Sequence, residues 1–425
     1  MAKIGIYGVS SQSGAAYFAD LIADGAQVYG FARTSPHGRA VVEAIRKQDG
    51  IQVDRPENEH KEASHFVPLL GSEVGQNLER LACESDLIIL AHPSVYHEET
   101  VRQLAEFLPR AGRHVPLVLS PSRTLAAPYC WEILGDDYPI VSFQTCPYAC
   151  KCFRPGAVYL KSRKRAWIAS TEGCVDPKTV VLLRSLFPQV VFSRTPAATS
   201  LGNIGAVFHP TAYILNLPAI REAKAAGHAF SFYLQGIAHN PLVGPIVEEV
   251  DQIRLQIAEA IGCPVFGLRE RPREEEWQAL MGRVHALEAK PLPNLREHCR
   301  KRARLLQPIH DAVVSGQHWL AYTYGVERVP GESLASAIGR TPNFMKDSFP
   351  QARYADEDVA TGLVPLEALA LRLGVDCAPM THVIDLYAQQ TGIDARAHGR
   401  NLRDFDLGYL RRYLLGELQC LKVAC

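Results

Sequence analysis

The first turn of the chain narrows its fold more than any other feature. Residues 2–9, with the run Ile4-Gly5-Ile6-Tyr7-Gly8-Val9, read as a short buried strand. Gln12–Ala23 reads as a helix with Tyr17, Phe18, Leu21 and Ile22 on one side. Between them lies Ser10-Ser11-Gln12-Ser13 ahead of Gly14. A strand, a tight turn of short side chains and a helix bring backbone N–H groups and a helix N-terminus to one point, where a pyrophosphate can sit. Ala26–Ala32, Leu87–Ala91 and Val115–Leu119 are further predicted strands, and Gly38–Lys47 and Glu98–Leu108 predicted helices. Strands alternating with helices make βαβ units and a parallel sheet.

Set against G-x-G-x-x-G, the turn keeps Gly8, has Ser10 at the second glycine and Ser13 at the third, with Gly14 one place later. The second strand bears on the cofactor. An NAD-preferring site ends that strand with an acid for the ribose 2′-hydroxyl. Here it ends Arg33-Thr34-Ser35, which offers a guanidinium and two hydroxyls to a 2′-phosphate. NADP(H) is therefore expected ahead of NAD(H). The expected cofactor contacts are Gly8, Ser10, Ser11, Gln12, Ser13, Arg33, Thr34 and Ser35, with His92 and Pro93 where the Leu87–Ala91 strand ends.

With 425 residues, two domains are expected. From Ile140 to Ser170 the pattern reads as strands separated by a basic turn at Lys161–Arg165; beyond Thr195 helical periodicity dominates, as in Val247–Ile261 and Leu363–Leu373. Thr195-Pro196 breaks the pattern. The fold expected is α/β: a Rossmann-type dinucleotide-binding domain over 1–196, then a mainly α-helical domain over 197–425 that carries substrate and catalysis. Lys+Arg and Asp+Glu both number 45, which gives no field for nucleic acid or an anionic membrane. The N-terminus has no basic-then-apolar leader, no run of 18 apolar residues occurs, and the 11 cysteines have no disulfide-framework spacing, so a cytoplasmic chain with reduced thiols is expected. Cys146, Cys150 and Cys152 lack a recognised zinc spacing, and His92 and His97 lack the i, i+4 geometry of a helical metal pair, so no metal site is expected. Arg269–Glu276 and Arg296–Arg304 read as solvated charge runs.

Two segments carry chemistry. Gly202-Asn203-Ile204-Gly205-Ala206-Val207-Phe208-His209-Pro210 puts an imidazole on an apolar stretch, and Arg353-Tyr354-Ala355-Asp356-Glu357-Asp358 offers a guanidinium and a carboxylate five residues on. A histidine oriented by a carboxylate, with an arginine to grip an acid, suffices for proton transfer beside hydride transfer. His209 is the candidate proton carrier and Asp358 its partner, with Asp356 and Glu357 as nearby competitors. Arg353 is the candidate carboxylate clamp.

These segments resemble the octopine/nopaline, or opine, dehydrogenases, nearest the bacterial octopine-synthase branch. Pro147-Tyr148-Ala149-Cys150-Lys151 is similar to that branch's Ser-Pro-Tyr-Ala-Cys-Arg, and Asn203 followed by His209-Pro210 to its Asn-x-x-Pro-x-x-His-Pro. Arg353-Tyr354-x-x-Glu357-Asp358-Val359, then Gly362-Leu363-Val364-Pro365, is close to the signature of the family's helical domain. Residues Arg271–Pro350 match poorly. The resemblance implies NAD(P)H-dependent reductive condensation of a 2-oxo acid, pyruvate or 2-oxoglutarate, with the amine of an amino acid. It implies catalysis by His209 and Asp358, and substrate contacts from Arg353, Asn203 and Tyr148. The partners expected are those two small molecules, with a homodimer kept open as the assembly.

Two other functions are weighed. A related hydroxyacid, glycerol-phosphate or ketopantoate reductase would place a lysine in its catalytic helix, and Ser200–Leu217 contains none. A non-catalytic NADP-binding sensor would have no reason to keep the histidine, arginine and aspartate together.

Overall fold

The computed structural model describes residues 2–56, 64–69, 71–164, 167–193, 195–263, 329, 331–341 and 353–418, with single positions at 283, 286 and 301; the side chains of Ser72, Arg353 and Tyr354 lie outside the description. The two charge runs Arg269–Glu276 and Arg296–Arg304 fall outside it, Lys301 apart. The chain forms two compact units, Met1–Ser122 with Ala126–Val190 and Leu418–Cys425, and Arg123–Leu125 with Val191–Glu417. The second unit thus begins at Val191, inside a strand, a few residues before Thr195-Pro196. It also takes in Arg123–Leu125, a piece of the N-terminal half that no sequence pattern marks as separate.

The first unit starts with β1 (Lys3–Tyr7), α1 (Gln12–Ala23), β2 (Gln27–Phe31), α2 (Pro36–Lys47), β3 (Gly50–Asp54) and β4 (His65–Pro68). There follow β5 (Val74–Gly75), α3 (Leu78–Glu84), β6 (Leu87–Leu90), α4 (His97–Ala105), β7 (Leu117–Leu119), α5 (Ala126–Leu134) and β8 (Ile140–Phe143). β9 (Tyr148–Lys151), β10 (Ala157–Arg163), β11 (Trp167–Glu172) and α6 (Pro177–Leu186) follow, and β12 (Val190–Ser193) carries the chain from the first unit into the second. One sheet has eight strands in the order β12-β11-β8-β7-β6-β1-β2-β5. From β5 through β8 neighbouring strands pair in parallel, whereas β11 runs antiparallel to β8. Strands covered on both faces need continuous apolar sequence. Leu87, Ile88, Ile89 and Leu90 of β6 are each fully buried. The strand order reverses between β1 and β6, and such a switch point is where an open α/β sheet takes its ligand.

In a second, four-stranded sheet, β4-β3-β10-β9, the strands β9 and β10 fall in the Ile140–Ser170 stretch expected to hold strands, whereas β3 and β4 were not expected. The basic turn expected at Lys161–Arg165 needs correction: β10 continues through Arg163. Lys161 points outward from that strand while Leu160 is buried, so Lys161 to Arg163 belong to the strand and the connection to β11 begins at Lys164. Residues 165 and 166 lie outside the described residues.

Beyond the Val191–Ser193 part of β12, the second unit is helical among the described residues. It comprises α7 (Ala197–Ser200), α8 (Gly205–Leu215), α9 (Leu217–Ala225), α10 (Val243–Ile261), α11 (Leu334–Gly339), α12 (Arg353–Asp358), α13 (Val364–Leu373), α14 (Ala378–Thr391), α15 (Ala395–His398) and α16 (Leu407–Leu414). Between α12 and α13, Val359–Leu363 winds as a π-helical turn. Pro365 has no N–H to return to Thr361, and the Thr361 carbonyl accepts the backbone N–H of Thr124 instead (3.1 Å). The wider turn also leaves the Ala360 carbonyl to accept from Arg400 N (3.0 Å). Gly362 lets this turn lie against α8, since a Cβ there would stand 2.7 Å from Ala206 Cβ. No helix among the described residues is long and apolar enough to cross a membrane.

Candidate active site

In the first unit, the turn after β1 is built for close approach. Gly8 takes φ +99°, a left-handed conformation that suits glycine. Its N–H and that of Val9 both bond to Phe31 O (2.9 and 3.0 Å), fixing the turn to the end of β2. Ser11 caps α1 by accepting from Gly14 N (2.9 Å). A Cβ on Gly14 would stand 2.0 Å from the Gly8 carbonyl oxygen. Gly14 is therefore the close-packing glycine of the turn, a place later than the motif alignment puts it, and Ser13 does not fill that role. The Ser11 and Ser13 hydroxyls both donate to Ala91 O (2.5 and 2.7 Å), so these side chains clamp the turn to the end of β6. What the turn presents to a ligand is its backbone at the start of α1, which fits a dinucleotide pyrophosphate.

At the end of β2, Arg33 and Thr34 are exposed. The Arg33 guanidinium lies 5.7 Å from the centre of the Tyr96 ring. Ser35 caps α2 by accepting from Gly38 N (3.0 Å). His37, which the sequence reading did not single out, bonds through Nε2 to Ser10 O (3.0 Å) and ties the two turns together. No acid stands at Arg33-Thr34-Ser35, so the residues present fit a phosphorylated ribose.

Two expected contacts have structural partners. The His92 ring is buried, bonds through Nε2 to Thr100 Oγ1 (2.9 Å) and packs 4.8 Å from Tyr7. The Tyr148 hydroxyl donates to Asp20 Oδ2 (2.6 Å), and Arg163 pairs with the other oxygen, Oδ1. Burial together with the Asp20 charge pushes the Tyr148 phenol well above its ordinary pKa, so it holds its proton as a donor. His92 Nε2 and the Tyr148 hydroxyl are thus each bonded within the first unit. Cys146, Cys150 and Cys152 form no disulfide with one another.

In the second unit α8 and the end of α12 bring the two chemical segments together. His209 Nδ1 and Asp358 Oδ2 are 3.0 Å apart. The carboxylate is fully buried, whereas the histidine side chain is 25% exposed and can meet a ligand. The three neighbouring acids separate cleanly. Asp356 accepts from Tyr387 Oη (2.8 Å), Glu357 accepts from Arg123 Nε (3.2 Å), and Asp358 faces His209. Arg123, missed in the sequence, also places Nη1 2.9 Å from Asp358 Oδ1. Only its place after a strand end could have drawn attention to it, because its partners lie more than two hundred residues away.

Asn203 is 3% exposed, and its Nδ2 has no partner among the described residues. A buried amide left as a donor points to a group that is supplied from outside. Gly205 stands where these side chains converge: a Cβ would lie 2.8 Å from Arg123 Nη1, 3.1 Å from Asn203 Oδ1 and 3.6 Å from His209 Nδ1. Arg353 opens α12, and its side chain lies outside the described residues. Chemically, the cluster can move one proton at His209 Nε2 while Asp358 holds Nδ1.

A sheet unit with a dinucleotide turn and a helical unit carrying a half-buried histidine on a buried aspartate define a two-domain nucleotide-dependent oxidoreductase architecture. Residues 193–289 and 292–391 match the family described as NAD/NADP octopine/nopaline dehydrogenase, alpha-helical domain. Over that helical domain the chain is similar to the octopine/nopaline, or opine, dehydrogenases. It is 25% identical over 347 residues to the opine dehydrogenase of Arthrobacter sp. (strain 1C), covering 80% of each chain. Octopine dehydrogenase in complex with NADH and agmatine shares the fold at TM-score 0.60 and 18% identity, over 98% of this chain and 97% of that one. Yersinopine dehydrogenase with NADP+ bound does so at TM-score 0.55 and 13% identity, over 98% of both chains.

Proposed function

We propose that the protein is an NADP(H)-dependent opine dehydrogenase, which joins a 2-oxo acid to the amine of an amino acid and reduces the product to an N-(carboxyalkyl)amino acid. The reading rests above all on the 3.0 Å bond between His209 Nδ1 and Asp358 Oδ2. An ammonium cannot attack a ketone, so His209 Nε2 takes a proton from the amino acid. The amine adds to the carbonyl carbon. His209 returns the proton to the hydroxyl of the adduct, and water leaves as the C=N bond forms. Asp358 keeps the ring in one tautomer and balances its charge while it is protonated. NADPH, when bound, supplies the hydride that reduces the C=N bond. Asn203 offers its amide to a substrate oxygen, and Arg353 clamps a carboxylate with two parallel hydrogen bonds.

Related proteins support the substrate class. The octopine dehydrogenase structures include complexes with NADH and L-arginine and with NADH and pyruvate. Pyruvate and 2-oxoglutarate both suit an arginine clamp. Preference for NADP(H) over NAD(H) rests on Arg33-Thr34-Ser35.

The test is a matrix of oxo acids against amino acids, read by NADPH oxidation and by mass spectrometry of the secondary amine. One pair should give a product mass equal to the sum of the substrates, less water, plus two hydrogens. His209→Gln should then lose about 10²- to 10⁴-fold in turnover, the usual worth of general acid–base catalysis, with NADPH binding retained. A folded His209→Gln protein with normal turnover removes the proposed role.

A further inference from the structure

Arg123 belongs by sequence to the nucleotide-binding half, yet its segment is built into the helical unit. Thr124 N donates to Thr361 O (3.1 Å), Thr124 Oγ1 to Ser200 O (3.2 Å), and Leu125 N to Ser200 Oγ (3.2 Å). Arg400 Nη1 donates to Thr124 O (2.9 Å). Arg123 and Leu125 both adopt left-handed backbone, at φ 63° and 53°, which non-glycine residues enter only when their surroundings hold them there. The segment is thus secured around the one side chain that it delivers to the His209 cluster.

That side chain is 8% exposed and reaches two carboxylates with different nitrogens: Nε to Glu357 Oε1 at 3.2 Å, and Nη1 to Asp358 Oδ1 at 2.9 Å. Asp358 is left with its other oxygen, Oδ2, against His209 Nδ1. A carboxylate held at one oxygen cannot rotate without breaking a buried ion pair, so the second oxygen points one way. We infer that Arg123 is a positioning residue: it acts through Asp358 to hold the His209 imidazole with its proton on Nδ1 and its lone pair on Nε2. Glu357 takes up the rest of the guanidinium and stops it from swinging off Asp358. Two nitrogens of one guanidinium stand against both carboxylates at once, Nη1 as an ion pair to Asp358 Oδ1 without hydrogen-bond alignment, and the single nitrogen of an ammonium does not reproduce that placement. The inference rests on the proposed role of His209 as proton carrier.

The test uses Arg123→Lys in the full chain, read in two ways. Nitrogen-15 NMR of the imidazole reports the tautomer without any turnover. The wild type should show the Nδ1–H form, and Arg123→Lys a mixture of both. In steady state kcat should fall about 10- to 100-fold, as expected for a catalytic group slightly misplaced, with KM for NADPH within about twofold. Adding Arg123→Lys to Asp358→Asn should cost less than about twofold more, because one residue acts through the other. Should Arg123→Lys fail to fold, Arg123→Met with Glu357→Gln keeps the net charge and should give the same mixed tautomer. An unchanged tautomer in a folded variant, or a fully multiplicative loss in the Asp358→Asn background, overturns the inference. If His209→Gln retains turnover while the tautomer still responds to Arg123, the proton-carrier reading fails and the positioning of the ring stands.

Discussion

Gly205 leaves the space that Arg123 uses: a Cβ at residue 205 would stand 2.8 Å from Arg123 Nη1. The obstructed atom is the far end of a side chain, so Gly205→Ala should fold with Arg123 pushed aside. Turnover should fall about 10- to 100-fold by misplacement of the dyad, while thermal stability drops only slightly. Gly14→Ala should behave oppositely, because its Cβ would meet the Gly8 carbonyl oxygen at 2.0 Å and backbone cannot yield so easily. It should lose nucleotide binding and about 1–3 kcal/mol of stability, the range for overpacking. Calorimetry with NADPH alongside kinetics on both variants separates the two. Equal effects on both readouts in both proteins would contradict this division.

Cofactor choice should follow Arg33, which is exposed at the end of β2 with its guanidinium near the Tyr96 ring. NADPH should exceed NADH in kcat/KM. Arg33→Ala should narrow that preference by up to about 1.5–3 kcal/mol, the worth of a charged hydrogen bond, chiefly in the NADPH arm. A wild type that prefers NADH would remove the assignment.

Substrate anchoring is tested at Arg353. Arg353→Lys keeps the charge but loses the two-point fork, so KM for the acid substrate should rise while NADPH affinity stays close to wild type. A matched loss for both ligands would mark Arg353 as a structural residue instead.

Thiol chemistry gives a prediction in pH. Burial raises the Cys152 thiol from its ordinary 9.0 to about 11. The protonated form is the one favoured by folding. Its contribution is therefore complete below about pH 9 and is lost as pH rises through about 11. Labelling of Cys152 by iodoacetamide in the folded protein should stay slow at pH 8 and reach half its maximum near pH 11, against about pH 9 in denaturant. Mass spectrometry of the labelled peptide measures both. Equal labelling rates at pH 8 would show the thiol to be solvated.

Local chemistry was legible wherever one element suffices to decide it. α1 occupies Gln12–Ala23, the range its apolar spacing predicts, because its inward face carries Tyr17, Phe18 and Leu21. β6 and α10 were readable for the same reason: an unbroken apolar run and a helical period each need only their own residues. β3 was not readable, and β10 was read only as one of the strands over Ile140–Ser170, without its partner. Their pairing, Val53 opposite Val158, joins residues about a hundred positions apart, and β3 has no run that stands out locally. Tyr148 shows the converse limit. A motif can name the residue, but only packing reveals that its hydroxyl is committed to Asp20.

What the sequence by itself determined was the set of groups: a glycine turn before a helix, Arg33 without an acid, and His209, Asp358 and Arg353 in recognisable settings. Tertiary structure alone decided their partners. Three consecutive acids, Asp356, Glu357 and Asp358, carry the same chemistry in the sequence, and a helix of 3.6 residues per turn points them in three directions. Asp356 meets Tyr387, Glu357 meets Arg123, and Asp358 meets His209. Arg123 was invisible because a cation after a strand has no local signature. It reaches Asp358 because the chain returns Arg123–Leu125 to the helical unit, where Pro365 has left the Thr361 carbonyl open to Thr124.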